Sequence, residues 1–291
     1  MKDFNGKGVV VTGAASGIGL GIARAFADAG ARVMIADIDA DGARAAAGQL
    51  QSRGAQAIAA GCDVADRAAV EALADRAWSE LGRVDVIVNN AGTIARPGRL
   101  IDASPDDFRW LLDVNLIGVW NGCSVFGRRF VDQGSPAHIV NTGSEHSLIP
   151  AHPGAGFYTA TKHGVLAISD ILRLELPEFI GVSILCPGIV RTNLGAGPAR
   201  RPERYGGPVA GAGGAIDIGL DPDDVGRRVL AAVERGDFYI VTHSHVRQYV
   251  EQRYREILDA FDRQAPHAPG DEAYDMRRVM AARRASKGRP D

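Results

Sequence analysis

Seven short apolar runs, near residues 7–12, 31–36, 55–60, 84–88, 137–142, 181–186 and 237–242, are separated by segments of helical period. Strands spaced by helices cannot pair as tight hairpins. Their crossovers force a parallel sheet wound on both faces, with ligands beyond the strands' C-terminal ends. The expected class is α/β, a doubly wound parallel sheet with helices on both faces. At 291 residues the chain is long enough for one large domain and too short to require two. The expected domain spans 1–265, with a C-terminal extension at 266–291.

The first run, ending in Val9-Val10-Val11, leads into Gly13, Gly17 and Gly19 and then a helical stretch from Leu20 to Ala29. A strand, a glycine-rich turn and a helix N-terminus form a dinucleotide phosphate cradle. Glycines let backbone approach the pyrophosphate, and the helix start offers unpaired N–H groups with a partial positive charge. The expectation narrows to a single-domain Rossmann-like fold. The second run ends in Asp37, eighteen residues past Gly19, where a carboxylate would meet the adenosine ribose hydroxyls and repel a 2′-phosphate. Ala14, Ala15 and Ser16 supply no basic side chain for such a phosphate, so the expected cofactor is NAD. An ordinary solvated Asp at a strand end is the alternative reading.

Tyr158 and Lys162 lie four residues apart in a helical stretch, which puts a phenol and an ammonium on one face. A free phenol has a pKa of about 10, and each unit of lowering requires about 1.4 kcal/mol in favour of the phenolate. A fixed cation nearby provides such stabilisation. Ser144 stands upstream at the end of the fifth apolar run.

Taken together, Thr12-Gly13-Ala14-Ala15-Ser16-Gly17-Ile18-Gly19, Cys62-Asp63-Val64, Asn89-Asn90-Ala91-Gly92, Asn115, Ser144, Tyr158 with Lys162, and Pro187-Gly188 with Thr192 resemble the short-chain dehydrogenase/reductase family in type and order. The resemblance covers roughly residues 5–245; Ser144 and Tyr158 are fourteen residues apart, one more than usual in the family. It implies that Tyr158 exchanges the substrate proton, that Ser144 hydrogen-bonds the substrate oxygen, and that Lys162 stabilises the phenolate and holds the nicotinamide ribose. Asn115 would anchor a water linking Lys162 to solvent. Around the cofactor it implies Gly13, Ser16, Gly17, Ile18 and Gly19 at the pyrophosphate, Asp63 and Val64 at the adenine, and Asn90, Ala91 and Gly92 at the ribose. Pro187, Gly188, Ile189 and Thr192 would border the carboxamide.

For the substrate, His146, His152 and Ile189 join Ser144 and Tyr158 around the reacting carbon. A mix of His, Phe and Gly suits a bulky, partly aromatic alcohol or its ketone better than a small acid. Within the family the chain is similar to bacterial dehydrogenases that oxidise the α-carbon alcohol of lignin-derived β-aryl ethers. The similarity lies in Met1-Lys2-Asp3-Phe4, in Arg201-Pro202-Glu203-Arg204-Tyr205-Gly206 and in the long extension after Tyr239. A dehydrogenase for another bulky alcohol is a further possibility. The contrasting class is a non-catalytic dinucleotide sensor or scaffold, which would usually have lost one of Ser, Tyr or Lys.

The segment from Asn193 to Gly219 holds eight glycines and three prolines, and reads as a substrate lid that is mobile without ligand. A net charge of −2 argues against a nucleic-acid partner. Cys62, Cys123 and Cys186 sit singly in apolar segments, which suits reduced buried thiols; no metal-ligand spacing occurs. With no secretory signal and no apolar span of bilayer length, the expectation is a cytoplasmic protein without a membrane partner. Apolar residues on more than one face of the helices holding Asn115 and Tyr158, among them Phe108, Trp110, Leu111, Trp120, Val165, Leu166, Ile168 and Leu172, predict a homodimer or homotetramer.

Overall fold

The computed structural model describes residues 2–209 and 216–286. Strands form at β1 (Gly8–Thr12), β2 (Arg32–Asp37), β3 (Ala57–Gly61), β4 (Val86–Asn89), β5 (Ala137–Thr142), β6 (Ile180–Cys186) and β7 (Tyr239–Val241). These are the seven expected runs, with ends moved by a residue or two. All pair in parallel in one sheet of order β3-β2-β1-β4-β5-β6-β7. The strand order reverses between β1 and β4, and the connections there leave to opposite faces. A crevice opens at that point above the strands' C-terminal ends.

Both faces of the sheet are covered, and β1 is buried at every position. Val9 and Val11 point into one core with Ile22, Phe26, Val33 and Val229; Val10 points into the other with Met34, Ile87, Phe126 and Phe130. The two-residue period of a strand produces this division. The first core lies under α1 (Gly17–Asp28), α2 (Ala40–Gln51) and α7 (Pro222–Arg235). The second lies under α3 (Arg67–Leu81), α5 (Gly118–Gln133) and α6 (Gly156–Glu175). Burying a phenylalanine such as the fully enclosed Phe26 contributes about 2–3 kcal/mol before entropy is counted.

α1 and α7 approach closely through two glycines. A Cβ on Gly226 would stand 2.1 Å from the Gly21 carbonyl oxygen, and one on Gly21 would stand 2.2 Å from that of Pro222. This contact fixes the helix that carries the glycine-rich turn.

Four helix starts are capped by side chains. Asp39 accepts a bond from Gly42 N–H, Asp66 from Ala68, and Asp221 from Asp223. Ser104 does the same for α4 (Pro105–Leu112). Ser16, at the start of α1, caps nothing. α4 runs into α5 through one wide turn of π-helix over Asp113–Ile117, a distortion often found at functional sites.

The chain divides after Ser244. The later unit holds α8 (Val246–Gln264) and α9 (Met276–Ser286). Among the described residues no helix is long and apolar enough to cross a membrane.

Part of the expected lid is structured. Its described portion forms short 3-10 turns at Leu194–Arg200 and Glu203–Tyr205, and Ile216 N–H bonds back to the Thr192 carbonyl at 2.8 Å. Gly195, Gly197, Gly206 and Gly207 fall within it, whereas Gly211, Gly213 and Gly214 lie outside the described residues.

Candidate active site

A cleft of about 740 Å³ opens at the C-terminal end of the sheet. Its floor at the β1 end is the glycine-rich turn. Gly13 and Gly17 have φ of 62° and 57°, which side chains resist. A Cβ on Gly13 would stand 2.6 Å from the Ala91 Cα, and one on Gly17 would project to within 3.1 Å of the Thr192 side chain. The turn is held from two sides. Asp37 Oδ2 accepts Ala15 N–H at 3.0 Å and its Oδ1 accepts Asp39 N–H at 3.0 Å. On the other side Thr12 Oγ1 accepts the Asn90 and Ala91 amides at 3.0 and 3.2 Å. The Asn90 side chain donates to the Thr12 and Gly13 carbonyls.

The uncapped start of α1, the open glycine backbone and a cleft of this size fit a nicotinamide dinucleotide. Ser16, Gly17, Ile18 and Gly19 line the cleft at the start of α1. Asp37 with Asp63 and Val64 lines it beyond the ends of β2 and β3, and Ala91 and Gly92 beyond β4. Pro187, Gly188, Ile189 and Thr192 line the far side, next to Ser144, Tyr158 and Lys162.

Tyr158 and Lys162 lie one turn apart on α6, and Ser144 starts a 3-10 turn, Glu145–Ser147, at the end of β5. A second serine joins the two segments: Ser147 Oγ accepts Ser144 N–H at 3.1 Å and donates to the Lys162 carbonyl at 2.7 Å. Nothing in spacing pointed to Ser147, because its partners are backbone groups. Lys162 is buried, donates from Nζ to the Thr142 carbonyl at 2.8 Å, and stands 5.7 Å from the Tyr158 ring centre. Burial pushes its ammonium down to about 8, with the Cys186 thiol opposing.

Burial holds Tyr158 above its ordinary value of 10.0; the hydrogen bond with Ser144 lowers it, and the Glu145 carboxylate raises it further.

Asn115 does not line the cleft. It is fully buried one layer behind, in the π-helical turn, where its side chain accepts Thr93 N–H at 2.8 Å and donates to the Thr93 carbonyl at 2.9 Å. It thereby ties the segment after β4 to the helix beneath Tyr158. A Cβ on Gly92 would lie 3.3 Å from Asn115 Oδ1 and 3.6 Å from Lys162 Nζ, so the junction is close-packed.

On the substrate side His146 is buried. Its Nδ1 bonds Thr159 Oγ1 at 2.7 Å, and its ring meets Tyr158 and His152 edge-on at 5.3 and 5.0 Å. Burial pushes its imidazolium down to about 4, with the neighbouring His152 and His163 adding to the shift. The cleft also takes in Leu100, Trp110, Leu111 and Val114, residues not singled out by motif. Phe157 belongs to it as well and packs on Phe108 at 4.5 Å.

The lid segment is tied down at three places: Arg201 to Asp107 at 2.5 Å, Tyr205 Oη to Asp113 Oδ2 at 2.9 Å, and Arg204 to Asp63 at 2.5 Å. Among the described residues no group of three His, Cys, Asp or Glu side chains could hold a metal ion.

Comparison with known proteins places this geometry. The model of the short chain dehydrogenase family matches residues 7–201. The "Probable oxidoreductase EphD" of Mycobacterium bovis is 38% identical over 238 residues, covering 78% of this chain; the chain spans only 39% of that relative's length. The "C alpha-dehydrogenase" of Sphingobium sp. is 30% identical over 269 residues, covering 89% of this chain and 88% of that protein. A short-chain dehydrogenase/reductase from Burkholderia phymatum, solved in complex with NAD, superposes with a TM-score of 0.84 at 32% identity, covering 92% of this chain and 99% of that one.

Proposed function

The chain belongs to the short-chain dehydrogenase family, and from that premise we propose that it is an NAD-dependent oxidoreductase interconverting a secondary, benzylic or aryl, alcohol and its ketone. The observation that carries the reading is the joint presence of Ser144, Tyr158 and Lys162 in the cleft that also holds the glycine-rich turn.

A bound nicotinamide dinucleotide supplies the hydride acceptor or donor, and the protein orients both reactants and handles one proton. The open amides at the start of α1 and the glycine backbone bind the pyrophosphate. Asp37 receives the adenosine ribose hydroxyls and disfavours a 2′-phosphate. Tyr158 gives its proton to the carbonyl oxygen in reduction and takes one from the alcohol in oxidation. Ser144 hydrogen-bonds the same oxygen and stabilises the charge that develops there. Lys162, fixed by Thr142, biases Tyr158 toward phenolate, and Asn115 holds the neighbouring backbone so that a water can link Lys162 to solvent.

Phe157, Trp110 and Leu111, with His146 and His152, support a bulky aryl substrate. Likeness to the Sphingobium C alpha-dehydrogenase supports the narrower reading, the α-carbon alcohol of a lignin-derived β-aryl ether. Three buried free cysteines suit a reducing cytoplasm. Mixing the protein with NAD and a panel of aryl secondary alcohols should produce the NADH absorbance band. Binding of NAD with no turnover on any alcohol or ketone would favour a sensor or scaffold.

A further inference from the structure

Ser144 follows the end of β5, whereas Tyr158 and Lys162 stand on α6. Their separation is a tertiary quantity that neither element fixes by itself. Lys162 Nζ to the Thr142 carbonyl, His146 to Thr159 and Asn141 to Ser169 span the gap through longer side chains. Ser147 joins main chain to main chain at Ser144 and Lys162 themselves. It is 1% exposed; its Oγ accepts Ser144 N–H at 3.1 Å, and its own proton goes to the Lys162 carbonyl at 2.7 Å.

The space around this hydroxyl is reserved. A Cβ on Gly143 would stand 2.5 Å from Ser147 Oγ, with the nearest Ile184 side-chain carbons at 3.0 and 3.2 Å. Gly143 does not have a positive φ, so its backbone would accept a side chain, and the hydroxyl is the nearest obstacle. Ser147 does not line the cleft, whereas Ser144, Glu145 and His146 do. We infer that Ser147 is a positioning residue for the proton-handling set: it holds the Ser144 backbone at a fixed distance from Lys162 and so sets where the Ser144 hydroxyl stands relative to Tyr158. The inference rests on the activity proposed above. Loss of the hydroxyl leaves the buried Ser144 N–H without its acceptor, and a shift of about 1 Å among reacting groups costs on the order of a hundredfold in rate.

The test compares wild type, Ser147→Ala and Gly143→Ser/Ser147→Ala. In the double variant the obstacle is gone, and the new serine Cβ starts 2.5 Å from the vacated position, within reach of its own Oγ. The single-turnover rate of NADH formation from an aryl secondary alcohol is expressed per NADH-binding site, counted by fluorescence titration, so unfolded chains do not lower it. Ser147→Ala should lose about tenfold to a hundredfold in this rate with NADH affinity within about threefold of wild type, and the double variant should recover most of the loss. Amide exchange over residues 143–148, measured without substrate, should quicken at least about tenfold in Ser147→Ala and slow again in the double variant. Ser147→Cys, close in shape with a weaker donor and acceptor, should move both readings the same way and serves if the alanine variant does not fold. An unchanged rate per site, a loss that the double variant does not recover, or unchanged exchange would overturn the inference. A wild type that turns over no alcohol would sink the proposed activity instead, and the exchange arm would then decide by itself whether Ser147 holds the two segments together.

Discussion

Asp37 carries two jobs at the scale of one residue. Its carboxylate holds the Ala15 amide and, in the proposed complex, the ribose hydroxyls. Asp37→Ala should therefore loosen the glycine-rich turn and remove the repulsion toward a 2′-phosphate together. The expected result is weaker NAD and a fall of at least about tenfold in the NAD to NADP ratio of kcat/KM. Initial rates with both cofactors measure it, and an unchanged ratio would leave Asp37 a structural carboxylate only.

Two buried histidines give a separate expectation. His138 bonds Ser183 at 2.8 Å, and burial pushes it down to about 4, as it does His146. Each binds more protons unfolded, where its value is 6.5, than folded. Their contribution is complete above pH 6.5 and is lost as pH falls toward 4, by roughly 3 kcal/mol each at the limit. Thermal unfolding should show a steep loss across that window, and His138→Gln should flatten it by about half. A stability flat from pH 6.5 to 4 would show that both rings charge freely in the fold.

At the scale of elements, the glycine contact between α1 and α7 governs where the phosphate cradle sits. Gly226→Ala would push a methyl into the Gly21 carbonyl and should destabilise by about 1–3 kcal/mol. Gly48→Ala in α2, where a Cβ meets nothing within 4 Å, should instead stabilise by up to about 1 kcal/mol. Chemical denaturation of the pair separates close packing from simple helix propensity; equal effects would remove the packing argument.

The strands were legible in sequence because buried parallel strands are continuous apolar runs, and the residues at their ends were legible because each carries a motif. Ser147, Thr93 and Thr142 were not, since they act through backbone partners far along the chain. The lid showed its glycines but not its fastenings, because Arg201, Arg204 and Tyr205 find carboxylates 94, 141 and 92 residues away.

For the whole molecule, the helix residues expected to face a partner sort differently in space. Trp110, Leu111 and Val165 are core, while Leu166, Ile168 and Leu172 pack against it. Helical period alone could not distinguish a face turned to the sheet from one turned outward. Trp120 remains 47% exposed, and Ile171 and Leu174 on α6 join it at 52 and 74%. This outer face of α5 and α6 supports assembly, and light scattering should give a dimer or tetramer; a mass of 30.7 kDa at micromolar concentration would exclude it.

The most direct test of the central claim, that Ser144, Tyr158 and Lys162 handle a proton for hydride transfer, compares wild type with Tyr158→Phe. NADH formation from NAD and an aryl secondary alcohol is followed alongside dinucleotide affinity by titration. The phenylalanine ring fills the same space and lacks only the proton carrier, so turnover should fall by about a thousandfold or more while the affinity for NAD changes less than about threefold. Turnover within tenfold of wild type would contradict the account.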